Sequence, residues 1–378
     1  MKILVAGDFC QRFKVDEFVR KKLYGEMFDG IKPVVTRSDY SIVNFEFPIV
    51  REDVKPKPIP KCGPNLKGTK EAVEVVKYAG FKCCTLANNH ILDQGEECAL
   101  YTKIELEKAG IDTVGFGDNL KDAEKIRYIE TDKETLAIIN CCEHEFSIAT
   151  EQSVGTNPLN PIRQFYVIKE AKKNADYVLV IVHGGHELYQ LPSPRMQETY
   201  RFFIDAGADA VVNHHQHCYS GYEIYNSKPI FYGLGNLLFD NGSDVYSNWN
   251  EGYMVCLDTV PNSYEVIPYQ QCVSGSSTVE LIEGEKKRDF FKSLSLLNDM
   301  IKTPQILSLE FSKYTSMAQK NVISSFSPYS NIYMQEMGSR GWIPLLVSKK
   351  KILQMINNFE CESHRDLTLE ALHNYAEQ

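Results

Sequence analysis

The stretch Ala210-Val211-Val212-Asn213-His214-His215-Gln216-His217-Cys218-Tyr219 joins a short apolar run to a cluster of histidines. The apolar run predicts a buried strand, and the histidines follow at the point where that strand ends. Imidazole is a common ligand of zinc and of other transition metals. Along an extended backbone, alternation would put His215 and His217 on one face and His214 on the other. The stretch therefore predicts a strand that ends at a metal site, provided that other ligands converge there.

The same rhythm of a β-branched run, a polar turn and an amphipathic segment recurs along the first 260 residues. Strands are predicted at Ile3–Ala6, Ser41–Phe45, Cys83–Leu86, Thr135–Asn140, Tyr177–Val182, Ala210–Val212 and Pro229–Tyr232. Helices are predicted at Thr69–Ala79, Glu96–Ala109, Pro161–Asn174 and Arg195–Ala206. Such alternation is typical of a layered α/β fold, in which helices flank the sheet. Two later strands, Tyr253–Asp258 and Tyr264–Pro268, are expected to extend the sheet in antiparallel fashion.

After Ser274-Gly275-Ser276-Ser277 the composition changes, which predicts two domains. Residues 1–275 are expected to form the α/β domain and residues 280–378 a helical C-terminal extension. Helices are predicted there at Lys286–Met300, Glu310–Ser325 and Lys349–Phe359, followed by a charged helical tail from Glu360 to Gln378. The extension has two of the nine histidines and no ligand-like spacing, so we expect it to serve packing, assembly or substrate access.

The overall composition excludes several classes of function. Of the 378 residues, 43% are hydrophobic and 24% charged, as in ordinary globular proteins. The net charge of −9 argues against a nucleic-acid-binding surface, although a phosphate substrate stays compatible because bound cations would offset its charge. The start, Met1 to Asp8, becomes polar too soon for a signal peptide, and no stretch approaches the length of a membrane span. We therefore expect no membrane span and a cytoplasmic location.

The eleven cysteines are expected to be reduced thiols inside the core. Their number is odd, and adjacent pairs such as Cys83-Cys84 and Cys141-Cys142 make a poor disulfide framework. They also lack Cys-x-x-Cys spacing, so we do not expect them to be metal ligands.

Polar side chains with metal-binding capacity follow one predicted strand after another. Any one group has an ordinary reading as a helix cap or a turn. Together they favour a shared site, because ligands of α/β sheets bind beyond the carboxyl ends of the strands. Carboxylates, amides and imidazoles suit Mn²⁺, Fe²⁺ or Zn²⁺, and these ligands exceed what one ion needs, so we expect two divalent ions. The groups are Asp8; Asn44 and Glu46; Asn88, Asn89, His90 and Asp93; His183, His186 and Glu187; and His214, His215 and His217.

At these residues the sequence resembles the CapA family of capsule and poly-γ-glutamate biosynthesis proteins, which is similar in fold to the calcineurin-like metallophosphoesterases. The resemblance covers roughly residues 1–258 and does not extend to the helical region. It rests on Gly7-Asp8, Asn44-Phe45-Glu46, Leu86-Ala87-Asn88-Asn89-His90-Ile91-Leu92-Asp93-Gln94-Gly95, Ala109-Gly110-Ile111, Gly115-Phe116-Gly117, His183-Gly184-Gly185-His186-Glu187, Asp205-Ala206-Gly207-Ala208-Asp209, His214-His215-Gln216-His217 and Pro229-Ile230-Phe231-Tyr232-Gly233-Leu234-Gly235-Asn236.

The resemblance implies a two-metal site and the residues that build it. It implies metal ligation by Asp8, Glu46, Asn89, His183, His215 and His217, with Glu46 as the bridging ligand. It implies that His90 protonates a leaving oxygen or steadies a phosphoryl group, and Asp93 is its candidate partner. The residues expected to support the ligands or to touch substrate are Asn44, Asn88, His186, Glu187, His214 and Asn236. The first motif of phosphoesterases is usually Asp-x-His, whereas this chain has Cys10 in place of the histidine. CapA-like chains also lack that histidine.

The expected function is that of a cytosolic metal-dependent hydrolase of the phosphoesterase type. Its substrate would be a phosphorylated or glutamylated precursor of a capsule-like polymer. Two alternatives stay open. The same ions can hydrolyse amides, so the protein could be a γ-glutamyl amidohydrolase. It could also be a non-catalytic accessory subunit of a polymer synthase complex that docks through its C-terminal helices.

Overall fold

The computed structural model describes residues 1–51, 53–61, 63–329, 331–360, 364–365, 368–369, 372 and 376. The chain forms two compact units, Met1–Ser308 and Leu309–Gln378. The charged helical tail predicted from Glu360 onward lies for the most part outside the described residues. Among the described residues, no helix combines the length and the apolar composition that crossing a membrane requires.

The strands predicted from the sequence are present, with ends that differ by a few residues. The structure adds short strands that carried no clear alternation. In chain order the strands are β1 Lys2–Cys10, β2 Tyr40–Phe45, β3 Cys83–Thr85, β4 Asp112–Val114, β5 Phe116–Gly117, β6 Arg127–Glu130, β7 Thr135–Cys142, β8 Gly155–Thr156, β9 Tyr177–His183, β10 Ala210–His214, β11 Tyr222–Tyr225, β12 Lys228–Phe231, β13 Asn236–Phe239, β14 Glu251–Asp258, β15 Ser263–Gln271 and β16 Val279–Leu281.

The helices predicted from periodicity are also present, and several short ones join them. In chain order the α-helices are α1 Lys14–Arg20, α2 Tyr24–Phe28, α3 Lys32–Thr36, α4 Glu71–Ala79, α5 Glu96–Lys108, α6 Leu120–Ala123, α7 Pro161–Asn174, α8 Pro194–Ala206, α9 Gly284–Lys302, α10 Pro304–Ser325, α11 Ile332–Ser339 and α12 Lys349–Glu360. Helices α7 and α8 begin as their sequences predict, because Asn160 and Ser193 cap them and a proline follows each cap.

The larger unit contains two main sheets. The eight-stranded sheet has the order β16-β15-β14-β1-β2-β3-β4, with β13 paired to the C-terminal half of β1. The six-stranded sheet has the order β11-β12-β10-β9-β7-β6, and β5 pairs with β8 in a small separate ladder. Strands β14 and β15 are antiparallel additions beside β1, as the sequence predicts.

The two sheets pack face to face, and helices cover their outer sides. On β1, Ile3 and Val5 belong to the apolar cluster between the sheets, whereas Leu4 and Ala6 belong to the cluster beneath the outer helices. Strand β9 is buried along its whole length, which explains its continuous apolar sequence. The result is a helix–sheet–sheet–helix arrangement, a layered α/β fold.

Helix α9 belongs to the larger unit, whereas the change in composition predicts that it is part of the helical extension. Its Phe290 and Leu294 lie in the cluster between the sheets, and Ile301 lies in the cluster beneath the outer helices α7 and α8. The boundary between the compact units therefore falls after Ser308, C-terminal to the change in composition.

Candidate metal centre

The register of the strands brings the polar residues to one edge. In the first sheet, Asp8 of β1 lies beside Asn44 of β2 and Asn236 of β13. In the second sheet, His183 at the end of β9 lies beside His214 at the end of β10. Because neighbouring strands in each set are parallel, their carboxyl ends meet, and the loops beyond them converge.

The residues predicted as ligands form one buried cluster. Ligand atoms of Asp8, Glu46 and His183 all lie within 4.8 Å of one another. His183 Nε2 is 3.0 Å from Asn89 Oδ1 and 3.1 Å from His215 Nδ1. His217 Nε2 is 3.6 Å from Glu46 Oε1. The cluster thus contains carboxylate, amide and imidazole donors, in the composition expected of a divalent transition-metal site.

Glu46 offers the observation that tests whether these residues fit a metal. Its side chain is fully buried, and its Oε1 has no hydrogen-bond partner among the described residues. That oxygen faces two imidazoles, with His183 Nε2 at 3.9 Å and His217 Nε2 at 3.6 Å. A buried carboxylate oxygen without a partner is costly unless a cation satisfies it. The donor set therefore fits one or more divalent ions.

The electrostatics of the cluster favour neutral imidazoles and disfavour an ionised Glu46 carboxylate in the absence of a cation. Burial raises the pKa of Glu46 well above its ordinary value, and the nearby Asp8 carboxylate raises it further. Burial also lowers the pKa of His183 well below its ordinary value, and His215 adds to that effect. Burial lowers the pKa of His217 in the same direction. Neutral imidazoles are the form that binds metals, and a cation would stabilise the Glu46 carboxylate.

Asn44 and Asn88 hold the carboxylates and the backbone around them. Asn44 Nδ2 lies 2.8 Å from Asp8 Oδ1 and 3.1 Å from Glu46 Oε2. Asn88 Nδ2 donates to Phe45 O at 2.9 Å, and Asn88 Oδ1 accepts from the backbone N–H of His90 at 3.1 Å. Asn88 is thus engaged in shaping the turn, whereas the neighbouring Asn89 directs its oxygen at His183.

The prediction that the three histidines alternate along an extended backbone is wrong. His215 and His217 nevertheless lie together in the cluster, and His214 points elsewhere. Strand β10 ends at His214, so His215 and His217 are not on an extended backbone. Both have positive φ angles, 92° and 54°, which are uncommon for histidine. The two left-handed turns bring both imidazoles to the cluster. His214 instead places Nε2 at 2.9 Å from Ala6 O, where it donates and ties β10 to β1.

Asn236 and two aromatic rings fix the orientation of His217. His217 Nδ1 is 2.9 Å from Asn236 Oδ1, so that nitrogen donates and Nε2 is directed at Glu46. Asn236 Nδ2 donates in return to His217 O at 3.0 Å. The rings of Phe239 and Trp249 lie 5.0 and 4.8 Å from the His217 ring, centroid to centroid. The aromatic contacts were not predicted from the sequence.

His90 and Asp93 form a couple, and a buried lysine completes it. His90 Nδ1 is 2.6 Å from Asp93 Oδ2, so it donates there and leaves Nε2 for a ligand. Lys61 forms an ion pair with the other Asp93 oxygen and lies 3.1 Å from His90 Nδ1. Only 1% of the Lys61 side chain is exposed. Burial lowers the pKa of His90, and Asp93 opposes that effect. Nothing in the loop sequence around Lys61 signalled this role.

The other predicted residues lie near the cluster but are less enclosed. His186 is partly buried, which lowers its pKa, and its ring lies 6.4 Å from that of Tyr189, centroid to centroid. Glu187 is exposed, and its charge contributes to the raised pKa of Glu46. Cys10 is fully buried, and burial raises the pKa of its thiol, which disfavours the thiolate that binds zinc.

Comparison with known proteins gives a consistent set of relatives. A family model described as bacterial capsule synthesis protein PGA_cap matches residues 2–241. A capsule biosynthesis protein CapA from Bacillus anthracis is 34% identical over 248 residues, covering 64% of this chain and 60% of the relative. A PGA biosynthesis protein CapA from Bacillus subtilis is 34% identical over 239 residues, covering 62% of each chain. This chain thus spans less than two thirds of the length of both relatives.

More remote similarities accompany these. A probable polyglutamine synthesis accessory protein from Mycobacterium tuberculosis is 31% identical over 170 residues, covering 42% of this chain and 45% of the relative. Among solved structures, a putative 5′-nucleotidase from Staphylococcus aureus has a TM-score of 0.42 at 16% identity, covering 78% of this chain and 58% of that chain. Because its TM-score is below 0.5, this structure is no argument for the family or the function of this chain.

Proposed function

This chain belongs to the bacterial capsule synthesis family PGA_cap, and on that basis we propose that it is a metal-dependent hydrolase of the phosphoesterase type. Glu46 Oε1 is the observation that carries the proposal, since it is a buried carboxylate oxygen without a partner among the described residues and it faces two imidazoles. Stabilising that oxygen is the role of a cation. We assign the protein to the biosynthesis of a capsule-like or poly-γ-glutamate-related polymer, in the cytoplasm.

The proposed ligands are the residues of the buried cluster, with Glu46 as the bridge. Two divalent ions, Mn²⁺, Fe²⁺ or Zn²⁺, would supply Lewis-acid stabilisation of a phosphoryl group and a nucleophilic water. Asn44 and Asn236 keep their ligands in orientation through the hydrogen bonds described above. The proposed ligand set is Asp8, Glu46, Asn89, His183, His215 and His217.

His90 is the proposed general acid of the reaction. Its Nδ1 donates to Asp93, so Nε2 is the nitrogen that can hold a proton for a leaving oxygen. Asp93 fixes the ring, and the backbone N–H of Leu66 donates to the same Asp93 oxygen at 2.6 Å. Lys61 balances the charge of Asp93 in this buried position. The substrate we propose is a phosphorylated or glutamylated polymer precursor.

Metal content and hydrolysis together test the proposal. We expect protein purified without chelator to contain more than one transition-metal ion per chain, measured by elemental analysis. With Mn²⁺ it should hydrolyse an aryl phosphate, and His90→Ala should abolish that activity while His364→Ala leaves it unchanged. A γ-glutamyl anilide assayed in parallel distinguishes an amidohydrolase from a phosphoesterase. Inactivity on both substrates with several metals would contradict the enzymatic proposal.

The second candidate is a non-catalytic accessory subunit of a polymer synthase complex. It is favoured by the exposed apolar side chains of the smaller unit, among them Met317 and Tyr333 at 83% and 76% exposure. The relative from Mycobacterium tuberculosis is described as a probable accessory protein of polyglutamine synthesis. A truncation after Ser308 distinguishes the two candidates. An accessory subunit would lose complex formation on truncation and would tolerate His90→Ala, whereas a hydrolase would show the opposite pattern.

A further inference from the structure

The smaller unit exposes large apolar side chains next to a run of lysines. The exposed fractions are 66% for Trp342, 64% for Leu346, 56% for Leu353 and 44% for Ile356. Residues of this size and apolarity are usually buried, and several exposed ones within a short segment indicate a surface that binds a partner. We refer to residues Trp342–Phe359 as the basic–apolar surface.

The charge of this region is opposite to that of the whole protein. Residues 340–359 contain Arg340, Lys349, Lys350 and Lys351 and no aspartate or glutamate, whereas the chain has a net charge of −9. The three lysines are exposed. Arg340 pairs with Glu336, but none of the described carboxylates pairs with the three lysines. The positive charge of the lysines is therefore available to an external anion.

The order of the side chains along α12 gives the surface an amphipathic form. Leu353, Ile356 and Phe359 recur at three-residue spacing and therefore lie along one side of the helix. Lys350 and Lys351 fall on either side of that apolar stripe at the helical period. Helices with an apolar face bordered by lysines are typical of the interface between a bilayer and water.

Hydrogen bonds inside the smaller unit fix the backbone of the loop before α12. The Tyr329 hydroxyl donates to Pro344 O at 2.6 Å, and the backbone N–H of Trp342 donates to Met337 O at 2.9 Å. Trp342 and Leu346 are nevertheless exposed. Tryptophan prefers the headgroup region of a bilayer, where its ring is apolar and its N–H is hydrated.

We propose that the basic–apolar surface docks on an anionic lipid bilayer, with Trp342 and Leu346 inserted among the headgroups and Lys349, Lys350 and Lys351 paired with lipid phosphates. A bilayer is favoured over an anionic polymer because a polymer of carboxylates would pair with the lysines but would leave the apolar side chains in water. A protein of net charge −9 is repelled by an anionic membrane, so its attachment requires a local basic surface of this kind. This inference is independent of the proposed hydrolase activity.

Tryptophan fluorescence tests the insertion directly. The chain has two tryptophans, Trp249 and Trp342, so Trp249→Phe leaves Trp342 as the only reporter. With vesicles of phosphatidylcholine and phosphatidylglycerol, we expect a blue shift of the emission and quenching by brominated lipid. With phosphatidylcholine alone we expect neither change. Emission that stays unshifted on anionic vesicles at low salt would overturn the proposal.

Co-sedimentation of the full chain with the same vesicles tests the charges. Changing Lys349, Lys350 and Lys351 to Gln should reduce vesicle partitioning by more than about tenfold, because each lysine near an anionic leaflet adds to the attraction. The matched control changes Lys77, Lys133 and Lys287 to Gln, three exposed lysines of the larger unit, and should bind like wild type. Equal losses in both triple variants would contradict a localised surface.

The apolar contribution is tested by Trp342→Ser combined with Leu346→Ser. We expect this double variant to lose most vesicle binding while its circular dichroism spectrum stays that of the wild type. If soluble poly-glutamate binds the protein and the double variant keeps all of its vesicle and polymer binding, the surface is an anion site without insertion and the membrane proposal fails.

Discussion

The buried cluster of predicted metal ligands, called here the buried centre, and the basic–apolar surface differ in which side chains they bury. The first buries charged and polar side chains, and the second exposes apolar ones. The buried centre encloses Glu46 and His183 almost completely, at 0% and 1% exposure. The basic–apolar surface leaves Trp342 and Leu346 in water. Each arrangement is costly for the folded chain alone, since buried charges lose hydration and exposed apolar groups gain no burial. Where a sequence accepts such a cost, a ligand is expected to offset it: a cation at the centre and a partner at the surface.

Replacing Glu46 by Gln should have the largest effect on the buried centre. We expect metal content to fall below one ion per chain and hydrolysis to fall at least about 100-fold, since a bridging carboxylate is removed. Without metal, the variant should melt at or above the wild-type temperature. Burial and Asp8 raise the pKa of Glu46, so its ionised form destabilises the metal-free protein at neutral pH, and glutamine removes that charge.

Differential scanning fluorimetry with and without Mn²⁺ measures both effects. The wild type should gain stability on adding metal, and Glu46→Gln should gain little. Glu265→Gln removes an exposed carboxylate of the same kind and should behave like the wild type. A metal-induced rise in melting temperature that is equal in Glu46→Gln and in the wild type would show that Glu46 does not ligate.

Lys61 provides the next largest effect, because it is a buried cation that this chain itself supplies to a buried carboxylate. Lys61→Met leaves Asp93 charged, buried and without its cation, which should cost roughly 3–5 kcal/mol of unfolding free energy. Adding Asp93→Asn should recover much of that loss in a double-mutant cycle measured by urea denaturation. Lys61→Arg should retain more stability and more activity than Lys61→Met.

The contrast with a pair whose lysine is exposed makes this prediction specific. Lys70→Met breaks an ion pair with the buried Glu105, but the Lys70 side chain is 64% exposed, and Lys108 keeps its own ion pair with Glu105 at 2.9 Å. Water replaces that lysine, so its removal should have a much smaller effect than Lys61→Met. If the two variants lost equal stability, the burial of Lys61 would not be the source of its effect.

Asn213 joins the two histidine loops, and its loss should have an intermediate effect. Its Nδ2 lies 2.8 Å from Gly184 O and 3.0 Å from Tyr232 O, and its Oδ1 accepts from the Tyr200 hydroxyl at 2.6 Å. Asn213→Ala leaves these buried groups without partners and should cost about 2–3 kcal/mol. Asn174→Ala, at an exposed helix end, is the control and should cost much less. A loss in Asn213→Ala no larger than in the control would refute this role.

The fold was largely predictable because its elements have strong periods and both sheets are covered. Runs such as Tyr177–His183 are apolar throughout, and α7 begins with Asn160 followed by proline. The short strand Arg127–Glu130 was not predicted. None of its residues is fully buried, so its sequence has no clear alternation of apolar and polar residues. The boundary after Ser308 was missed because helix α9 has a polar outer face like the helices that follow it.

Convergence of the polar residues was predictable from their positions after successive strands, and the resemblance to the CapA family selected the ligands among them, but their geometry was not predictable. Nothing in the sequence indicated that His215 and His217 would have positive φ angles, since those depend on hydrogen bonds such as the one from His215 N to Asp8 Oδ2 at 3.2 Å. Lys61 was missed because it lies in a loop far from Asp93 in sequence, and only tertiary packing joins them. Their roles as ligands and catalytic groups stay predictions until metal content is measured.

The smallest effect on the free energy of unfolding is expected where an apolar side chain is already exposed to water. Two methionines, one buried and one exposed, allow the comparison. Met254 of β14 is fully buried in the core, whereas Met317 of α10 is 83% exposed. Met254→Ala should cost roughly 2–5 kcal/mol through lost burial and a cavity. Met317→Ala should change the free energy of unfolding by less than about 0.5 kcal/mol, because the folded state buries little of that side chain. Fluorescence of Trp249 in a Trp342→Phe background, and of Trp342 in a Trp249→Phe background, reads the two units separately during urea denaturation. A large loss of unfolding free energy in Met317→Ala would mean that this side chain is buried in solution. The apolar side chains of the smaller unit would then not be exposed as the structure shows, and the contrast with the buried centre would be contradicted.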